Sequence, residues 1–93
     1  MRLRHAARID ANQTEIVRAL RQVGAHVEII GRPVDLLVGF RGQNFLLEVK
    51  RCGARARRDQ QEQRDWMGTW TGQVARVESV EQALAAIDWI DVE

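Results

Sequence analysis

Between residues 25 and 50 the chain passes through three short β-rich segments, separated only by Gly31-Arg32-Pro33 and by the Gly-containing stretch 41–44. This crowding constrains the fold more than any other feature. Residues 25–30 alternate, with Val27 and Ile29 on one side and His26 and Glu28 on the other, as a strand with two different faces does. Segments 34–40 and 45–50 are more continuously apolar, and the turn between them reads as that of a β-hairpin whose two strands are both well buried.

Helical patterns lie on either side. Over residues 12–23, Ile16, Ala19, Leu20 and Val23 follow the i, i+3, i+4, i+7 spacing of an amphipathic helix, with Gly24 as its stop. From Asp59 onward Gln63, Trp66, Met67 and Trp70 share a second helical face until Gly72. Residues 74–77 make a short fourth strand. Ser79 followed by Gln82 is a capping-box signature that opens a last helix through Leu84, Ala85 and Ile87. The order is α-β-β-β-α-β-α. It predicts a mixed α/β domain over residues 1–93, a mixed four-stranded sheet flanked by helices, with 1–8 as a flexible N-terminus.

Composition closes off several function classes. With 45% hydrophobic and 29% charged residues the chain is built to fold rather than to stay disordered. No apolar run approaches the roughly 18 to 20 residues of a membrane span, and the Arg-rich start lacks the apolar stretch of a signal peptide. The expectation is a cytoplasmic protein without membrane or small-molecule cofactor. Cys52 is the only cysteine, which excludes a disulfide framework or a thiolate zinc cage within one chain. The net charge of +1 conceals a cluster of Arg51, Arg55, Arg57, Arg58 and Arg64. Such a run is either a solvated face or a phosphate-binding surface.

Three residues carry the chemistry. Glu48 and Lys50 are two apart in a strand, so they project from one face while Leu47 and Val49 project from the other. Asp35 lies on the partner strand of the hairpin, where register brings its carboxylate beside Glu48. Two facing carboxylates repel unless a cation joins them, and hard oxygen ligands of this kind suit Mg2+ or Mn2+. The chain has thirteen arginines and a single lysine, Lys50. Its compact ammonium has a pKa that shifts readily on burial, so a lysine can orient a water or, once neutral, deprotonate it where a guanidinium cannot. The bland alternative is an exposed Glu-Lys pair on an edge strand.

Pro33-Val34-Asp35 followed by Glu48-Val49-Lys50 resembles the PD-(D/E)XK nuclease pattern. The likeness runs across nearly the whole chain and is closest to the small VRR-NUC-type nucleases of phages and prophages, themselves similar to archaeal Holliday-junction resolvases. The resemblance implies a restriction-endonuclease-like αβββαβα core and a Mg2+-dependent endonuclease acting on DNA, with branched or four-way junctions as substrate. It implies Asp35 and Glu48 as metal ligands with the Val49 backbone carbonyl, Lys50 as the residue positioning water, and Gln63 supporting water or lysine. A homodimer, in a bacterial or phage-infected cell, is also implied. An inactive nucleic-acid-binding module on the same fold is the alternative.

Several assignments stay open in the sequence. Glu15 matches the glutamate that the family places on its first helix at the rim of the site, but Asn12 and Glu15 also have capping-box spacing. Gln60 and Gln61 compete with Gln63. Arg51, Arg55, Arg57 and Arg58 directly follow the catalytic strand and are expected to contact backbone phosphates. The spacing of Trp66, Met67 and Trp70 favours a core face over base stacking. His26 has neither a second histidine nor a cysteine nearby, so it reads as a solvated or core-edge side chain rather than a ligand.

Overall fold

A computed structural model describes residues 3–50 and 58–89, with side chains over 12–50 and 61–89. Helix α1 spans Leu3–Gln22, followed by strands β1 (His26–Ile29), β2 (Leu36–Phe40) and β3 (Gln43–Val49), then α2 (Arg58–Thr69), β4 (Val74–Val77) and α3 (Val80–Ala86). The mixed α/β class and the α-β-β-β-α-β-α order are those expected. The sheet order is β1-β2-β3-β4, with the first three strands an antiparallel meander and β4 parallel to β3. A parallel neighbour needs a crossover connection, and α2 lies on it.

Burial explains the alternation. Val27, Leu36, Val38, Phe40, Phe45, Leu47 and Val77 are buried on one face of the sheet, against Ile16, Val17 and Leu20 of α1 and Ala83 and Ile87 at α3. The α1 residues are one helical turn or less apart, so a single stripe meets the sheet. Ile29 shares their face in register with Leu36 but stays exposed, at the unpaired edge that β1 forms. α3 opens as its sequence predicts: the Ser79 hydroxyl accepts the Gln82 N–H at 3.1 Å, and Gln82 Oε1 accepts the Glu78 N–H at 2.7 Å.

The structure corrects several boundaries. The β2–β3 turn is tighter than residues 41–44: Phe40 pairs with Gln43, leaving a two-residue loop, Arg41-Gly42. Both loop residues have positive φ, 51° and 81°, the pattern of a type I′ turn whose twist matches that of the flanking strands. β2 begins at Leu36 rather than 34, because the Asp35 carbonyl accepts from Ile30 N–H at 2.9 Å and Gly31 N–H at 3.2 Å and closes a turn there. α1 begins at Leu3, well ahead of residue 12. Asn12 is therefore inside the helix and caps nothing.

The aromatic face of α2 departs most from expectation. Trp66 and Met67 are half-buried, Trp70 is 43% exposed, and none of the three joins the core. That core is filled from the opposite side by α1 and α3. Among the described residues no helix is long and apolar enough to cross a membrane.

Candidate active site

The opposite face of the sheet carries the polar residues. Leu46 and Glu48 alternate with the buried Phe45 and Leu47 on β3, and Lys50 follows one residue past the strand end. The β2–β3 register pairs Leu36 with Leu47, and one further step in the same register puts Asp35 opposite Glu48. On the other side Glu48 pairs with Arg76 of β4. Asp35, Glu48, Lys50 and Arg76 thus meet at one end of the sheet, three of them on or beside β3 and its antiparallel partner. The type I′ turn fixes this meeting by fixing the register.

Hydrogen bonds hold the backbone here. Asp35 Oδ2 accepts the Val49 N–H at 2.8 Å, so the carboxylate completes the ladder where β2 has not yet begun. The Lys50 N–H donates to the Val77 carbonyl at 2.8 Å. Backbone groups of successive strand residues point to opposite sides, so the Val49 carbonyl faces the Asp35 side of β3 along with its N–H. Asn12 Nδ2 donates to the carbonyls of Lys50 (3.0 Å) and Glu78 (3.1 Å), fastening the ends of β3 and β4 to α1. Gln63 Nε2 donates to the Pro33 carbonyl at 3.1 Å, tying α2 to the segment that leads into Asp35.

The electrostatics follow from burial. Glu48 is only 7% exposed, and its Oε1 is buried with no hydrogen-bond partner among the described residues. Burial first, then the Asp35 charge and a hydrogen bond with the Asp35 carboxyl, push Glu48 up from 4.5 to about 8, against the pull of Lys50. Without a cation, the pair holds a proton at neutral pH. Burial also lowers Lys50, helped by the charges of Arg76 and Arg64 and opposed by Glu48 and Asp35. An ammonium with a depressed pKa gives up its proton more easily and is better suited to act on water.

A divalent cation fits this donor set. A buried carboxylate oxygen with no hydrogen-bond partner among the described residues, opposite a second carboxylate in the strand register, is a donor that a cation would satisfy. Asp35, Glu48 and the Val49 carbonyl are the oxygens at hand. Among the described residues there is no group of three or more His, Cys, Asp or Glu side chains that would hold a metal. A site of two carboxylates plus backbone matches the habit of Mg2+, which keeps waters and takes few protein ligands.

The remaining expected residues divide. Gln63 reaches the Asp35 segment, whereas Gln61 is engaged along α2 itself, donating to Asp65 at 3.0 Å and accepting from Arg64 at 2.7 Å. The capping-box reading of Glu15 is overturned with the helix start, and Glu15 lies exposed on α1, one turn after Asn12. Arg51, Arg55 and Arg57 lie outside the described residues, and Arg58 opens α2 without a described side chain. His26 is solvated and bonded to Glu28 at 2.7 Å. Sequence reasoning missed Arg76 and the role of Asn12. Alternation along 74–77 could have placed Arg76 on the Glu48 face, but only with the parallel register known; nothing local marks Asn12. No protein-family model, curated protein or solved structure matches this chain, so its chemistry is read from the arrangement of Asp35, Glu48 and Lys50 itself.

Proposed function

We propose that the chain is a divalent-metal-dependent endonuclease hydrolysing DNA phosphodiester bonds, with branched or four-way-junction DNA as the preferred form. The observation that carries this reading is the buried Glu48 oxygen, without a hydrogen-bond partner among the described residues and opposite Asp35, with Lys50 on the same face. A bound Mg2+ or Mn2+ would polarise the scissile phosphate and lower the pKa of a water. Asp35, Glu48 and the Val49 carbonyl supply its protein oxygens. Lys50, its N–H held by the Val77 carbonyl at the strand end, orients the attacking water, whose proton leaves to bulk solvent. The water oxygen forms the new bond to phosphorus, the bond to the leaving sugar oxygen breaks, and that oxygen takes a proton from solvent. Gln63 steadies the Pro33–Asp35 segment. In a twofold homodimer, two such sites would act on two strands of a branched substrate. A cytoplasmic enzyme with DNA as its partner is the corresponding cellular picture.

The test joins binding to turnover. Linear, nicked, flapped and four-way DNA are incubated with the protein in Mg2+, and its melting temperature is followed as Mg2+ or Mn2+ is added. Cleavage is expected, along with a metal-dependent rise in melting temperature. Asp35→Ala should lose both; Lys50→Ala should lose cleavage and keep the metal response. Cleavage retained by purified Lys50→Ala would refute the role of the lysine, and absence of any metal response would remove the site.

A further inference from the structure

Trp66 lies on α2 and Trp70 one residue past its end. Trp66 and Trp70 stack with ring centroids 5.1 Å apart and planes 24° from parallel. Trp70 is also braced at its edge: a Cβ on Gly72 would lie 2.7 Å from its Nε1 and 3.0 Å from Cε2 and Cζ2. One ring face is covered and the edge is held, yet 43% of the residue remains exposed. An exposed indole fixed on two sides is a rigid platform, because little rotamer freedom remains to be lost when something stacks on it.

The position of the platform says what stacks there. Gln63, hydrogen-bonded to Pro33 beside Asp35, is seven residues before Trp70, about 10 Å of helix. The charges of Arg64, on the same helix, and of Arg76 both act on Lys50. Arg76, paired with Glu48 across the sheet, Lys50, and Arg64 two residues before Trp66 on α2 bring positive charge to the carboxylate pair and to the helix that leads to the indoles. A polyanion follows the cations, and flat apolar rings follow the indoles; an unpaired nucleic-acid strand offers both in one ligand.

We infer that Trp70, backed by Trp66, stacks an unpaired base of the strand whose phosphate lies at Asp35, Glu48 and Lys50. This rests on the nuclease reading and narrows it to substrates with single-stranded character near the cut. A base in a duplex is already stacked and presents no free ring face to the indole. Trp70 therefore separates single strands, flaps and opened junctions from plain duplex.

The test measures binding without cleavage. In EDTA, affinities for a short oligothymidine and for a duplex of equal length are measured with wild type, Trp70→Ala, Trp70→Phe and Gly72→Ala. Trp70→Ala is expected to weaken single-strand binding about 5- to 150-fold, the range stacking on one aromatic gives, and to leave duplex binding unchanged. Trp70→Phe should restore most of the loss. Gly72→Ala, which displaces the ring without removing it, should fall between them. Equal single-strand affinity in wild type and Trp70→Ala overturns the inference, as does equal loss for duplex and single strand. So does a change confined to oligomeric state, which would make the indoles a contact between copies. Metal-dependent cleavage by the wild type persisting alongside any of these would leave the nuclease reading standing, whereas wild-type protein that neither binds nor cleaves any nucleic acid would remove both.

Discussion

The two sides of strand β3 face different problems. Phe45 and Leu47 belong to an apolar cluster closed by α1 and α3, where close packing sets the free energy. Glu48, one residue from Leu47, is almost as thoroughly removed from water, but one of its oxygens has no partner among the described residues. A carboxylate kept dry without a partner is destabilising by itself. The first face is where the fold is made stable. The second spends part of that stability on a polar cluster, Asp35 and Glu48 with Lys50 and Arg76.

Three measurements would break or sharpen this contrast. The largest effect is expected from Leu47→Ala, whose side chain is 1% exposed: a loss of about 2–5 kcal/mol in denaturant unfolding, with cation binding intact in whatever protein remains folded. An intermediate effect is expected from pH. Glu48 is raised from 4.5 to about 8, so in metal-free protein its favourable contribution is complete below pH 4.5 and is lost as pH rises through about 8. Thermal melting in EDTA should therefore fall across that window, Glu48→Gln should flatten it, and Mg2+ should stabilise most at its upper end. A melting temperature that climbed from pH 5 to 8 in EDTA would contradict the assignment. The smallest effect is expected from Leu37→Ala on the second face, where the residue is 37% exposed: about 1 kcal/mol or less by denaturant titration. A loss as large as that of Leu47 would show a second core under α2.

Much of this was legible in the sequence, for physical reasons. Alternation over 25–30 and the Gly-containing turn after Phe40 are local signals, and local signals fixed the order of elements. Ser79 and Gln82 fixed the start of α3 in the same way. Placing Asp35 opposite Glu48 needed only a hairpin. The start of α1 was not visible because residues 3–11 carry no clear apolar stripe. Their Leu, Ala and Arg favour helix by propensity alone, a weaker signal than periodicity. Helical spacing at Trp66, Met67 and Trp70 was read as a core face because spacing marks a stripe without saying what covers it. Arg76 and Asn12 depend on pairings between distant segments, which no local pattern encodes.

The Arg41-Gly42 turn carries a further consequence, for how the chain can change length. It lies at the end of the hairpin remote from Asp35 and Glu48, and it sets which residue faces which. Substitutions along β3 leave that parity alone. One residue added at the turn and absorbed as a one-place slip of β3 would turn Glu48 into the hydrocarbon layer and Leu47 out of it. Two added residues would restore the sides of the sheet while moving Glu48 away from Asp35. The polar cluster is thus tolerant of altered composition at a distance but intolerant of insertions and deletions in a loop it never touches.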